Sequence, residues 1–214
     1  MQTELLKSDA LGRIEIVAEG EQRWIRRDTR CARFGMHWIA RAAAAREARV
    51  LKALAGLEGV PRLIAWGDGV LDRSFLDGAP MQQARPTDPT FYRQAHALLK
   101  QVRLRGVVHN DLAKEPNWLQ REDGDPALVD FQLAWVSRNR GSLFRLLARE
   151  DLRHLLKHKR TYCPQAMTPI ELRVVGRRSW ISRIWAATGK RLYKLVARKV
   201  FGYWDNEGQG RVRR

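Results

Sequence analysis

The chain has 214 residues, 44% of them apolar, which excludes a disordered polymer and is enough to bury a core as one large domain or two small lobes. Its outlying property is charge: 40 Lys and Arg against 23 Asp and Glu leave a formal +17, which predicts an anionic partner such as a nucleotide, a nucleic acid or an acidic lipid. Two cysteines, Cys31 and Cys163, make no disulfide framework, no apolar run reaches the length of a membrane span, and Met1–Asp9 lacks a signal-peptide core, so a reduced, cytoplasmic setting is expected.

In chain order, residues 4–28 read as three short strands. Arg13 to Val17 alternates, Glu19-Gly20-Glu21 turns the chain, and Gln22 to Arg27 runs back. Ser8 to Gly12 is read as a loop with one glycine. Residues 38–55 read as a helix whose apolar stripe is Val50, Leu51 and Leu54, ended by Gly56, Gly59 and Pro61. Leu63–Trp66 and Arg73–Leu76 read as strands, and Asp77 to Pro80 as a break between lobes. Asp88 and Pro89 form an N-cap and first helical position, and Phe91, Ala95, Leu98 and Val102 then recur at helical spacing to about Arg105. A hairpin is expected from Asn117–Gln120 and Ala127–Asp130 around Glu122 to Pro126. From Ser142 onward the chain reads as helical, with a capping box at Thr168 to Glu171.

The most informative residues are His109-Asn110-Asp111, then Asn117, then Asp130-Phe131-Gln132. In order they offer an acid to orient an acceptor hydroxyl, a neutral amide and a second acid to hold a cation. Asp130 ends the apolar run Ala127-Leu128-Val129, where a carboxylate needs a cation or a cap. Glu47 lies one turn before the apolar stripe and shares its inward face, which is costly unless it is paired; the competing arrangement is an exposed salt bridge with Arg41 or Arg46. His154, His158 and Cys163 are near one another in sequence, but a fourth metal ligand is missing and a basic helix face accounts for the histidines.

This pattern resembles the catalytic core of the protein-kinase-like superfamily, and within it the small atypical branch of RIO-type kinases and kinases of lipopolysaccharide core sugars. The resemblance implies an α+β, two-lobed fold: a small β-rich N-lobe with one long helix, and a helical C-lobe lacking a full activation segment. It implies boundaries of 1–78 for the nucleotide-binding lobe, 79–170 for the catalytic lobe and 171–214 for a basic extension. ATP and Mg²⁺ are the implied ligands. Asp111 takes the position of the acid that orients the hydroxyl proton, Lys114 neutralises the γ-phosphate, and Asn117 and Asp130 hold the metal. His109 supports the loop, and Asp151 braces it from the following helix. The backbone of Phe75, Leu76 and Asp77 corresponds to the adenine-binding hinge.

Several features depart from the family pattern. The helix Glu, here Glu47, normally pairs with a strand lysine, but the strand reads Trp24-Ile25-Arg26-Arg27-Asp28. Arg26 or Arg27 must take that role, and alternation lets only one face the cleft; Arg26 is favoured because Asp28 shares its face. The loop Ser8 to Gly12 lacks a glycine-rich phosphate signature, Gln132 replaces a glycine, and one extra residue separates Asp111 from Asn117.

Residues 171–214 carry twelve Lys or Arg and three Asp or Glu, with Trp180, Trp185, Phe201 and Trp204 interleaved. Such a segment suits an anionic membrane surface, RNA, or a helical pair packed on the C-lobe. The leading expectation is a serine/threonine protein kinase of RIO-like type. The alternatives are a lipopolysaccharide core sugar (Kdo or heptose) kinase acting on a lipid-linked acceptor at the inner membrane face, a weakly catalytic kinase-like scaffold, and a nucleic-acid-binding protein without enzymatic activity.

Overall fold

A computed structural model of the chain describes residues 2–176; of the basic and aromatic extension read at 171–214, residues 177–214 lie outside them. One compact unit ends at Val174. It begins with a five-stranded antiparallel sheet made of β1 (Gln2–Asp9), β2 (Gly12–Glu19), β3 (Gln22–Asp28), β4 (Leu63–Gly67) and β5 (Val70–Ser74). The strand order is β1-β2-β3-β5-β4, so the segment carrying Arg26 and Arg27 is central. Between β3 and β4 runs α1 (His37–Ala53), whose alanine-rich sequence favours helix.

The second half follows β6 (Ala79–Pro80) and a single turn, α2 (Met81–Ala84). Helix α3 (Pro89–Leu104) starts where expected: Asp88 accepts a hydrogen bond from the Thr90 N–H at 2.7 Å and Pro89 fills the first turn. A short strand β7 (Val107–Val108) leads into the loop that holds Asp111. The hairpin is β8 (Trp118–Gln120) and β9 (Pro126–Leu128), to which β6 adds a third strand. Strand β10 (Trp135–Val136) returns to pair with β7, and α4 (Ser142–Tyr162) and α5 (Pro169–Gly176) complete the described chain. At α5 the Thr168 N–H donates to Glu171 Oε2 at 2.8 Å and the Glu171 N–H to Thr168 Oγ1 at 3.2 Å, the reciprocal pair of a capping box. No helix among the described residues is long and apolar enough to cross a membrane.

The principal core crosses between the halves. Leu51 and Leu54 of α1, Phe91 and Leu98 of α3, Trp118 of β8, Phe131 and Leu155 of α4 belong to one buried cluster. Each such side chain contributes about 1.5–3 kcal/mol through loss of apolar surface to water, so α1 is anchored to the second half by the stripe that its sequence announced.

Two readings change on inspection of the sheet. The second strand read at Arg73–Leu76 is displaced: β5 already begins at Val70 and stops at Ser74, leaving Phe75 to Asp77 as its exit. Ser8 to Gly12 is not an open loop, because β1 runs to Asp9 and β2 starts at Gly12, with only Ala10 and Leu11 at the turn. Gly12 has φ +122°, and a Cβ there would stand 2.1 Å from the Asp28 carbonyl oxygen. The single glycine of this segment therefore serves strand packing. Replacing Gly12 with Ala is expected to cost more than about 1 kcal/mol, measured by urea denaturation; a neutral effect would contradict the close approach to Asp28.

Candidate active site

Glu47 is the starting point, because its side chain is 0% exposed. On β3 and β5 the odd-numbered residues Ile25, Arg27, Leu71 and Arg73 are paired across the sheet and all buried. From that face Arg27 Nε lies 3.5 Å from Glu47 Oε2, and Arg73 Nε lies 3.2 Å from Glu47 Oε1. These are ion pairs rather than aligned hydrogen bonds, since all four atoms lack a hydrogen-bond partner. The alternative surface bridge from Glu47 to Arg41 or Arg46 does not form, since Glu47 points inward.

The choice between the two strand arginines falls to Arg27, which corrects the preference for Arg26. Arg26 projects from the opposite face, where Asp72 stands directly across on β5. Their contact is bidentate, Nε to Oδ1 at 2.8 Å and Nη2 to Oδ2 at 2.7 Å. Asp28, expected to hold Arg26, is engaged instead by Arg30 at 2.7 Å. Arg27 also comes within 4.0 Å of Asp130 Oδ1, so one guanidinium spans from the helix carboxylate to the acid at the end of the hairpin. Arg73, 26 residues after Glu47 in the chain, was not legible as a partner.

The loop from His109 to Asn117 rests on α4. Asp151 accepts hydrogen bonds from the backbone N–H groups of His109 at 2.7 Å and Asn110 at 3.0 Å. His158 Nε2 lies 2.8 Å from the Leu112 carbonyl, and the Tyr162 hydroxyl donates to Glu115 at 2.8 Å. Asp151, His158 and Tyr162 are seven and four residues apart, which places them on one face of the helix. That spacing was the signal that could have found His158 and Tyr162. The nearby Cys163 donates its thiol hydrogen to the Thr87 carbonyl at 2.9 Å. Burial pushes the Asp151 carboxyl up to about 7, opposed by the two amides that donate to it.

His109 is fully buried, and burial holds its imidazole below the ordinary value. Its Nε2 lies 2.9 Å from the Val129 carbonyl, which can only accept, so the neutral ring carries its proton on Nε2. The ring packs on Phe131 at 4.6 Å between centroids. The Val129 N–H in turn donates to the Asn117 carbonyl at 3.0 Å. Val129, one residue before Asp130, is thus tied to both ends of the catalytic loop.

Around this scaffold the three polar groups gather. Asn117 Nδ2 donates to the Asp111 carbonyl at 2.9 Å and to Asp111 Oδ2 at 3.1 Å. Lys114 Nζ lies 3.0 Å from the same Oδ2. The extra residue ahead of Asn117 is absorbed in a tight turn, Glu115–Asn117, with Pro116 in its first positions. The amide nitrogen of Asn117 is engaged by Asp111, so its amide oxygen is the atom able to ligate a cation.

Asp130 has φ 64° and ψ 69°, a left-handed conformation costly for a residue with a Cβ. It precedes the turn Phe131–Leu133 but makes no capping hydrogen bond, and its buried Oδ1 has no hydrogen-bond donor. Of the two roles open to an acid ending this strand, the cap is not taken. A carboxylate oxygen without a donor, and an amide oxygen on Asn117, whose carbonyl is bonded to the neighbouring Val129 N–H, are the donor types that suit a hard divalent cation. Gln132 is not among the residues with positive φ, so the missing glycine is not required by this backbone.

Phe75, Leu76 and Asp77 form the exit from β5. Asp77 is paired with Arg23 at 3.0 Å, and the Arg23 guanidinium stands 4.7 Å over the Phe75 ring. Gly78 follows at φ 155°, where a Cβ would come within 2.9 Å of the Gln120 carbonyl oxygen, so the connection lies close against β8.

Comparison with solved structures gives the same architecture. The chain superposes on the Rio2 kinase from Chaetomium thermophilum with a TM-score of 0.60 at 18% identity, covering 80% of this chain and 62% of that one. It superposes on the Rio2 kinase–ADP/Mg²⁺–phosphoaspartate complex from the same organism with a TM-score of 0.57 at 18% identity, covering 87% of this chain and 66% of that one. The chain thus spans just under two-thirds of the length of these kinases. No protein-family model and no curated protein sequence matches it. The chain has a protein-kinase-like fold of RIO type.

Two outcomes follow from this geometry. Glu47→Gln leaves Arg73 buried without a counter-charge and Arg27 with only Asp130, 4.0 Å away, and is expected to cost about 3–5 kcal/mol, read from chemical denaturation; a loss below about 1 kcal/mol would assign the group no more than the weight of a surface pair. Asp151 titrates near 4 when unfolded, by about the ordinary aspartate value. Between about pH 4 and 7 the folded chain therefore holds more protons on this group than the unfolded chain, and stability falls as pH rises through the window. Asp151→Asn should flatten that fall while lowering stability throughout; an unchanged slope in urea titrations would place the titrating group elsewhere.

Proposed function

We propose that the chain is an ATP- and Mg²⁺-dependent phosphotransferase with a hydroxyl acceptor. The observation that carries this reading is the buried Oδ1 of Asp130 without a hydrogen-bond donor, in the residue after Val129, whose N–H donates to the carbonyl of Asn117, the partner of Asp111. Asp130 and Asn117 would hold Mg²⁺. Held there, the cation would supply positive charge to offset that of the phosphates.

Asp111 is placed to orient the acceptor hydroxyl and take its proton, with Oδ2 fixed by Asn117 and Lys114. Lys114 sits where it can neutralise charge on the transferring phosphoryl group. Arg27, held by Glu47, stands in for the missing strand lysine and offers a forked donor to the other phosphates. The exit Phe75–Asp77 presents backbone groups for the adenine edge. The Rio2 structure with ADP and Mg²⁺ supports the same ligand pair in a protein of this fold.

For the acceptor, likeness to RIO-type kinases supports a serine or threonine side chain of a protein. A specific observation favours a second reading, the hydroxyl of a lipid-linked core sugar: only Ala134 to Gly141 separate the turn after Asp130 from α4, too short a stretch for a peptide-docking segment.

The test joins binding to turnover. With Mg·ATP at about a hundred times Kd, the wild-type chain should gain about 2.7 kcal/mol of stability. Asp130→Ala should abolish that gain and all transfer from [γ-³²P]ATP. Asp111→Asn should keep the gain and lose roughly 10²- to 10⁴-fold in kcat. Thin-layer analysis with protein or lipopolysaccharide as acceptor separates the two readings. No stabilisation at millimolar nucleotide would leave a kinase-like scaffold.

A further inference from the structure

A second feature starts at the turn before α1 and runs to a groove that Asn110, the neighbour of Asp111, also lines. Phe34 is 101% exposed and Trp38 71%, although large aromatic side chains are ordinarily sheltered. Phe34 is not on a loose end. The Met36 N–H donates to the Arg33 carbonyl at 2.8 Å, closing a four-residue turn, and Gly35 has φ +81°, the conformation a type II turn needs at its third position. Phe34 occupies the outer corner of that turn. The turn is tied to the sheet by the Arg33 N–H, which donates to the Ala10 carbonyl at 3.1 Å. The backbone therefore holds an aromatic side chain in solvent by construction.

The outward face of α1 continues the feature. Trp38, Arg41, Ala42, Ala45, Arg46 and Arg49 recur at helical spacing opposite the buried Glu47. The stretch from Thr29 to Arg46 contains no Asp or Glu. Among the described residues Arg33, Arg41, Arg46 and Arg49 have no carboxylate within ion-pair distance, whereas Arg30 is matched by Asp28. At its far end Arg46 and Arg49 border a groove of about 460 Å³ walled by Leu133, Trp135, Val136 and Leu147. Leu133, Trp135 and Val136 are themselves exposed.

We propose that this face binds the surface of an anionic phospholipid bilayer. Phe34 and Trp38 enter the headgroup boundary, and the unmatched arginines meet lipid phosphates. Charge complementarity favours an anionic partner. The aliphatic part of the groove wall, Leu133, Val136 and Leu147 beside Trp135, favours a bilayer, because leucine and valine bury among acyl chains but do not stack on bases. The proposal uses no residue of 171–214 and requires no phosphotransfer.

The test is flotation of the full chain with vesicles of phosphatidylcholine alone, or containing about 30% phosphatidylglycerol, with poly(U) binding measured in parallel. The wild-type chain should bind only the anionic vesicles. F34S/W38S should lower partitioning at least about tenfold, and R41Q/R46Q/R49Q roughly a hundredfold, from about fivefold per charge. Neither variant should change poly(U) affinity or the thermal shift with Mg·ATP. If the aromatic variant melts at a lower temperature, the arginine variant alone carries the test. Absence of wild-type binding to anionic vesicles, partitioning unchanged by the substitutions, or a loss of poly(U) affinity would each overturn the proposal.

Discussion

The carboxylate of Glu47 is the constraint on which the rest depends. It is wholly removed from water, and a lone charge there would be untenable. Two arginines from adjacent strands answer it, Arg27 from β3 and Arg73 from β5. The cluster therefore joins helix to sheet, and because Arg27 also reaches Asp130, it joins the sheet to the hairpin as well. A lysine, with one point of charge, would have less reach to span both acids; the planar fork of arginine suits the place.

A second organising element is α4. Its face carrying Asp151, His158 and Tyr162 holds the backbone at His109, Asn110 and Leu112 and the side chain of Glu115. The loop has left-handed Asn110 and borders left-handed Asp130, conformations that persist only where surroundings enforce them. Rigid support from one helix and from the buried His109–Phe131 contact supplies that enforcement. The polar ends of Asp111, Asn117 and Asp130 remain as the free chemistry of an otherwise committed framework. Basic and aromatic groups on the outer face of α1 add a second kind of chemistry, facing away from Glu47 on the same helix.

Local signals were legible where a residue acts on its own neighbours. Asp88 with Pro89 announced the start of α3, Thr168 with Glu171 that of α5, and Val50, Leu51 and Leu54 the inner face of α1. The spacing of Asp111, Asn117 and Asp130 likewise placed three polar groups at loop and strand ends. The choice between Arg26 and Arg27 was not legible, since alternation says only that they diverge. Strand pairing settles it: Asp72 stands opposite Arg26 and draws it to the outer face. Short strands β6, β7 and β10 were also missed or only hinted at, because two-residue segments carry no period and exist only through their partners.

The amino-acid order alone determined the long helices α1, α3 and α4, the polar residue types of the candidate site and the need to pair an inward glutamate. These follow from covalent neighbours, helical period and the cost of burying charge. Tertiary structure decided which guanidinium meets Glu47, that Arg73 shares it, that Gly12 serves the Asp28 carbonyl, and that Asp130 caps nothing. Each of those depends on atoms brought together from distant positions in the chain, and their register is set by the pairing of β3 with β5 and the packing of β4 and β5 against α1 rather than by any local preference.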